Sequence, residues 1–423
     1  MPDVIRRELE WPLARNARRV ARVEIPGGGQ VVVKGGYAYV GHMKPPDGTS
    51  ILDVRDPANP RIVAHVPPPD PYSHTHKVRV VGDLMVTNVE MDRRHFLRKG
   101  ERLPALRAEG LDDAEIAARL GVSEDDLPTL EEARRRGYDS GGFRVWDISD
   151  RTKPELLSYV RTHGFGVHRF DMDARCAYIS TEMAGYVGNI LVTYDLSDPA
   201  APREVSRWWM PGQHVAGGET PTWEGYGRRL HHAMRCGDEL WAAVWHAGMR
   251  VLDARDLSAP KVIGSYEWPP AIPEPTHTVM PFEQPIGGRR YALAVDEEHD
   301  HKPGRLHGFL WVLDVTDLSA ITPVAAFDVS ERACPWVGEP GPRFGAHQFR
   351  ERLDGTRAYV AWFAGGLRVV DFADPRLPVE VAHFLPLGPD DRPPQTNDVD
   401  LDENGLVYLI DRVGGLDIVE VTA

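Results

Sequence analysis

The chain has 423 residues, 42% of them hydrophobic, with 36 prolines, 40 glycines and a formal charge of −14. This composition suits a turn-rich β protein with a well-buried core, and the acidity excludes a general binder of nucleic acid or anionic membrane, which would want a basic face. Three scattered cysteines (Cys176, Cys236, Cys334) exclude a disulfide framework, and the opening MPDVIRRELEWPLARNARR lacks the apolar run of a leader, so the expectation is a soluble, cytoplasmic chain.

Residues 1–16 read as an extension. The ARRVARVEIPG that follows reads as an outer strand in search of a sheet. From there one construction repeats. A strand of apolar–polar alternation is led by a polar residue: Gln30 in GGQVVVKGG, His76 in SHTHKVRVVG, His168 in GVHRFDMD and His231 in RRLHHAMRCGD. It returns with His277 in PTHTVMPF, His347 in FGAHQFRERLDG and Asn397 in TNDVDLDENG. Five imidazoles at seven equivalent positions is far more than 17 histidines in 423 residues would supply by chance.

Each unit continues with a second strand, such as LMVTNVE, and a β-branched third strand closed by Asp. An Asp/Pro turn and an outer strand complete it. The third strands read SILDVRDPANP, FRVWDISDRTKP, LVTYDLSDPAAP, MRVLDARDLSAP, LWVLDVTDLSA and LRVVDFADPRLP, with a clipped GLDIVEV at the end. The aspartates in these turns are expected to be structural, bonding nearby backbone N–H groups. Four strands repeated seven times predict an all-β, seven-bladed β-propeller over residues 17–423, closed by the N-terminal strand. Blade two carries an insertion, residues 91–140, in which LDDAEIAARLGVSEDDLPTLEEARRRG is helical in pattern. Asp112 with Glu115 forms a capping-box start and Gly121 a stop. A lid or partner contact is expected of it.

The repeated [LVI]-x-[VI]-[VIL]-D-x-x-D-P phrases resemble the LVIVD-repeat proteins, a propeller family. The resemblance runs from about Val20 to Val421 outside the insertion; it implies the fold and says little about chemistry.

In that fold the leading residues of the first strands converge at one mouth of the channel. His76, His168, His231, His277 and His347 would meet there, with His74 and His232 as competitors for two of the places. Neutral imidazoles are good ligands for first-row metals. Glu90, Glu182 and Glu297 end second strands at a similar height, where they would orient ligands or act as a base. The arrangement is similar, by architecture alone, to the four-histidine iron centre of carotenoid cleavage oxygenases and to the histidine-lined hubs of selenium-binding-type methanethiol oxidases. Long Pro/Gly loops fall on the same face. There Arg229 or Arg343 would hold a substrate carboxylate, Trp336 and Trp362 would form apolar walls, and Asn397 would face the substrate. His299 and His301 would sooner be solvated than form a second site.

The expected function is an oxygenase or other oxidoreductase using Fe(II), or Cu, on a small organic molecule. A Zn- or Mn-dependent hydrolase or lyase at the same site is the first alternative, and a non-catalytic docking platform the second.

Overall fold

The computed structural model describes residues 13–223, 227–269, 271–272, 274–299, 304–333, 343–386 and 393–423. Trp336, Cys334 and His301 lie outside them. The chain is all-β apart from a short helical stretch, and its strands form successive antiparallel sheets. Gly28–Lys34, Tyr37–His42, Thr49–Asp53 and Arg61–Val66 pair in that order. The same up-and-down order recurs from His232 to Tyr266, from Thr276 to Phe327 and from Ala346 to Phe384. Two further runs, from Val78 to Arg161 and from His163 to Trp208, are joined through Gly166 and Glu90.

The last three strands, Thr396–Leu401, Val407–Asp411 and Gly414–Val421, lack a fourth of their own. Ala17–Pro26 supplies it, with Ala17 opposite Val421 and Arg22 opposite Asp417. Arg19 and Arg22 both reach the buried Asp417 carboxylate, at 2.6 and 2.8 Å, so the two ends of the chain are latched by charge as well as by the ladder.

The innermost strands are tied side by side. Gln30 accepts from Val78 N–H, Asn88 donates to Val167 O, and Asp171 accepts from Arg235 N–H. His231 Nδ1 then bonds His277 O, Thr278 donates to Gln348, His347 bonds Asn397 O, and Asp398 accepts from Val31 N–H, which returns the circuit to its start. Apolar clusters fill the spaces between successive sheets. One is built around Trp241, Phe349 and Trp362, another around Phe143 and Phe170.

The strand-ending aspartates behave as turn residues. Asp53, Asp147, Asp195, Asp253, Asp314 and Asp371 each accept from the N–H two residues on, and so do Asp56, Asp150, Asp198, Asp256, Asp317 and Asp374.

Between Leu84–Met91 and Gly142–Asp147 run the helices Arg94–Leu97, Leu103–Ala108, Asp113–Leu120 and Leu127–Arg136. Asp112 and Glu115 cap the third of these reciprocally, and Gly121 ends it at φ 60°. Leu103, Leu106, Ile116, Leu120, Leu127 and Leu130 give the helices a small core of their own.

Inner strands approach so closely that some positions exclude even a methyl group. A Cβ on Gly41 would lie 2.6 Å from the carbonyl carbon of His76 and 2.7 Å from Thr75 O. Gly41→Ala is therefore expected to destabilise the fold by about 1–3 kcal/mol, read as a lower denaturant midpoint at unchanged slope.

Candidate metal centre

The first strands bring a run of imidazoles into contact. Ring centroids are 4.1 Å apart for His74 and His76, 5.5 Å for His76 and His168, and 4.8 Å for His168 and His231. His231 and His277 follow at 4.0 Å, and His277 and His347 at 4.4 Å. His232 faces the other way. Its Nδ1 accepts from Arg169 Nε, and it belongs to a deeper plug in which Arg79, Arg169, Gln30 and Gln348 all donate to Glu351.

The hydrogen bonds around these rings fix which nitrogen carries the proton, because most partners have roles set by other bonds. His74 Nδ1 faces Met43 O at 2.9 Å, His231 Nδ1 faces His277 O at 2.6 Å, and His347 Nδ1 faces Asn397 O; a carbonyl only accepts, so each Nδ1 is the donor. His168 Nδ1 donates to Glu90 Oε2 at 3.1 Å. The Thr278 hydroxyl gives its proton to Gln348, so His277 Nδ1 must donate to it at 3.0 Å.

Four rings, those of His168, His231, His277 and His347, therefore turn an Nε2 lone pair inward. His168 Nε2 and His231 Nε2 sit 3.0 Å apart, acceptor against acceptor. Burial pushes His168, His231 and His277 far below the ordinary histidine range and His347 down to about 3, so a second ring proton does not relieve the conflict. A cation shared between the rings would.

Two carboxylates complete the donor set. Glu297 has Oε2 3.9 Å from His277 Nε2 and Oε1 3.7 Å from His347 Nε2. Burial works against its charge, but His299 above all, at 3.2 Å, with His347 and Arg343, the latter 2.9 Å away, holds it well below the usual carboxylate range. Glu90 bonds His168, approaches His74 Nε2 at 3.0 Å and pairs with Arg94 at 2.7 Å. Among the described residues, two groups have ligand atoms close enough to hold a metal ion: His231 with His277 and Glu297, and His74 with His76 and Glu90.

Several expected residues stand elsewhere. Asn88 gives its carbonyl to Lys77 N–H and its amide N–H to Val167 O, so the same Nδ2 points a proton at His76 Nδ1, 3.1 Å away. His76 thus carries its own proton on Nε2, and His74, held between two acceptors, Met43 O and Glu90 Oε2, turns no free lone pair inward in its place. Glu182 pairs with Arg98 and accepts from Phe165 N–H instead of facing the hub. The irregular register between His163 and Val167 carries it outward. Trp362 is fully buried in the apolar packing. Arg229 is buried with its guanidinium 4.3 Å from the Trp245 ring. Asn397 bonds Gly29 O and Arg412.

A cavity of about 460 Å³ opens on the histidines, with Arg343 and Trp245 in its wall and Arg93, Arg94 and Phe96 of the helical stretch at its roof. Trp245 stacks on His231 at 5.2 Å and has φ 48°, a conformation that costs a bulky residue free energy and marks a constrained position. Sequence reading passed over Asn88, Lys77, Arg94 and Arg412. For Arg412 a signal existed: aligning LIDR with AVDE sets it at the place of Glu297, one past the Asp that ends the second strand. The backbone agrees, since Glu297 N–H bonds Pro275 O and Arg412 N–H bonds Gln395 O, each two residues before the leading residue of its first strand.

Fold and hub together are those of a β-propeller. The LVIVD repeat model matches residues 28–66 and 353–385. Among solved structures the chain is similar to the C-terminal WD40 domain of Sif2, at 11% identity over 96% of this chain and 99% of that one, with a TM-score of 0.54. It is likewise similar to Raptor of Chaetomium thermophilum, at 11% identity, 96% and 29% coverage and a TM-score of 0.57. These likenesses concern the fold alone. None of the curated proteins compared matches the chain. No helix among the described residues is long and apolar enough to cross a membrane.

Proposed function

We propose that the chain is a cytoplasmic, seven-bladed propeller metalloenzyme, an oxygenase or other oxidoreductase acting on a small organic substrate. The sheets would be its blades and residues 91–140 the lid. The observation that carries this reading is the inward set of neutral Nε2 atoms, with His168 and His231 in direct conflict unless a cation lies between them. His168, His231, His277 and His347 would hold the ion, with Glu297 beside them. An imidazole set without thiolate suits Fe(II) or Cu, which when bound supply one-electron chemistry with dioxygen.

The residues around the ion have separable tasks. Glu90 orients His168 by accepting its Nδ1–H, and Arg94 holds Glu90 in turn. His76 presents the one inward N–H of the ring and is placed to donate to a reacting oxygen. Glu297, kept ionised by His299 and Arg343, would set a fixed negative charge beside the ion. Trp245, Phe96 and Met43 keep water from the chamber.

Metal analysis of protein purified without a histidine tag tests the reading. About one equivalent of iron or copper per chain is expected. Zinc or manganese would shift the chemistry to hydrolysis or a lyase step, and a metal-free protein from metal-supplemented cells would leave the docking platform.

A further inference from the structure

The cavity contains more positive charge than its carboxylates answer. Arg94 is paired with Glu90 and Arg343 with Glu297. Three other basic residues of the lining, Arg93, Lys77 and Arg412, have no carboxylate within 4.0 Å among the described residues, and Arg93 lies over the Phe96 ring at 4.4 Å. Lys77 is only 3% exposed, and its Nζ has a single partner, Gly29 O at 2.7 Å. Arg412 uses Nε on Asn397 Oδ1 at 2.9 Å and stands 5.6 Å from the Phe363 ring, and the terminal N–H groups of its fork have no hydrogen-bond partner among the described residues.

Lys77 and Arg412 belong to one hydrogen-bonded unit. Gly29 O accepts from Lys77 Nζ and from Asn397 Nδ2, both at 2.7 Å. The other end of the same amide accepts from Arg412. The backbone carbonyl of Asn397 receives His347 Nδ1–H, so the pair is built onto the strand that orients a candidate metal ligand. Burial disfavours the charged form of Lys77, a cost that an anion bound beside its Nζ would offset, and a planar fork with free N–H groups matches a carboxylate. Elsewhere Met43, Phe96 and Trp245 give the chamber apolar walls.

We infer that the chamber takes a small organic carboxylate, its anionic end on Lys77 and Arg412 and its apolar body against Met43, Phe96 and Trp245. Asn397 is a positioning residue for this end. The inference rests on the reading of this cavity as the substrate chamber, and it assigns the substrate class.

Calorimetric titration of the full chain at low ionic strength, metal-free and metal-loaded, tests it with benzoate, phenylacetate and hexanoate as probes and benzyl alcohol as the neutral counterpart. Saturable one-to-one binding is expected for at least one carboxylate, at least about tenfold tighter than for the alcohol. Arg412→Gln and Lys77→Met should each weaken the carboxylate by about tenfold and leave the alcohol unchanged, with Arg412→Lys intermediate. Equal binding of acid and alcohol, no binding of any of the three acids, or wild-type affinity in Arg412→Gln and Lys77→Met would overturn the inference. Carboxylate binding by a protein that takes up no metal would remove the metal and keep the pocket; metal uptake without carboxylate binding would do the reverse.

Discussion

Changing His168 and His277 together to alanine is expected to reduce the bound metal from about one equivalent to under a tenth of that. The two rings come from separate strands, His163–Met172 and Thr276–Pro281, and each turns Nε2 inward because Nδ1 is occupied by Glu90 or Thr278. Removing both leaves His231 and His347 with Glu297, one carboxylate and two imidazoles for an ion that had four imidazoles. Glu90→Gln touches no inward lone pair, yet it exchanges the carboxylate that orients His168 for an amide, and a loss of about 10–100-fold in metal affinity is expected. His76→Gln should retain the metal, since Asn88 already keeps that ring out of the donor set. His65→Ala, at an exposed outer-strand position, is the control. Metal content and far-ultraviolet circular dichroism on the same preparations separate lost ligation from lost fold. Full metal content in the double variant would end the proposal.

Acid should unfold the metal-free protein unusually early. Burial holds His76, His168, His231, His232 and His277 far below the ordinary histidine value, and His347 at about 3. In the unfolded chain the same rings take up protons near pH ~6.5. Below that pH the unfolded state binds more protons than the folded one, so stability falls as pH falls and is fully present only above it. Each such ring contributes up to about 1.4 kcal/mol per pH unit, and several together exceed a typical margin of about 5–15 kcal/mol within two units. Denaturant midpoints in the presence of a chelator at pH 7, 6 and 5 should therefore drop steeply, and bound metal should raise the midpoint at pH 7. A flat profile would mean that the rings are not buried as neutral groups. His307 works in the opposite direction. Burial lowers it, but Glu298 and Glu331 on either side outweigh that and raise it to about 9, so its contribution is present at pH 7 and disappears as pH rises through that value.

The basic residues of the cavity show why a site of this kind is hard to read in advance. Lys77 and Arg412 are 335 positions apart in the chain and become one unit only through Gly29 O and the Asn397 amide. Glu182 and Glu90 look alike at the ends of their strands, but Arg98 in the helical stretch captures one and Arg94 holds the other beside His168. Arg94 is itself invisible as a functional residue until the helices fold back over the hub.

What the chain declares by itself is local. Alternating strands, Asp/Pro turns and a polar residue at the head of each repeat depend on neighbours a few residues away, and the turn aspartates all bond as their spacing requires. The inward histidines were legible for the same reason, since strand period alone sets which face a leading residue takes. Tertiary structure decided the chemistry of each ring, because a tautomer is set by whatever stands behind Nδ1: the Glu90 carboxylate for His168, the Asn88 amide for His76. Those partners come from other strands and loops, and the preference of a ring nitrogen for donor or acceptor has no trace in periodicity.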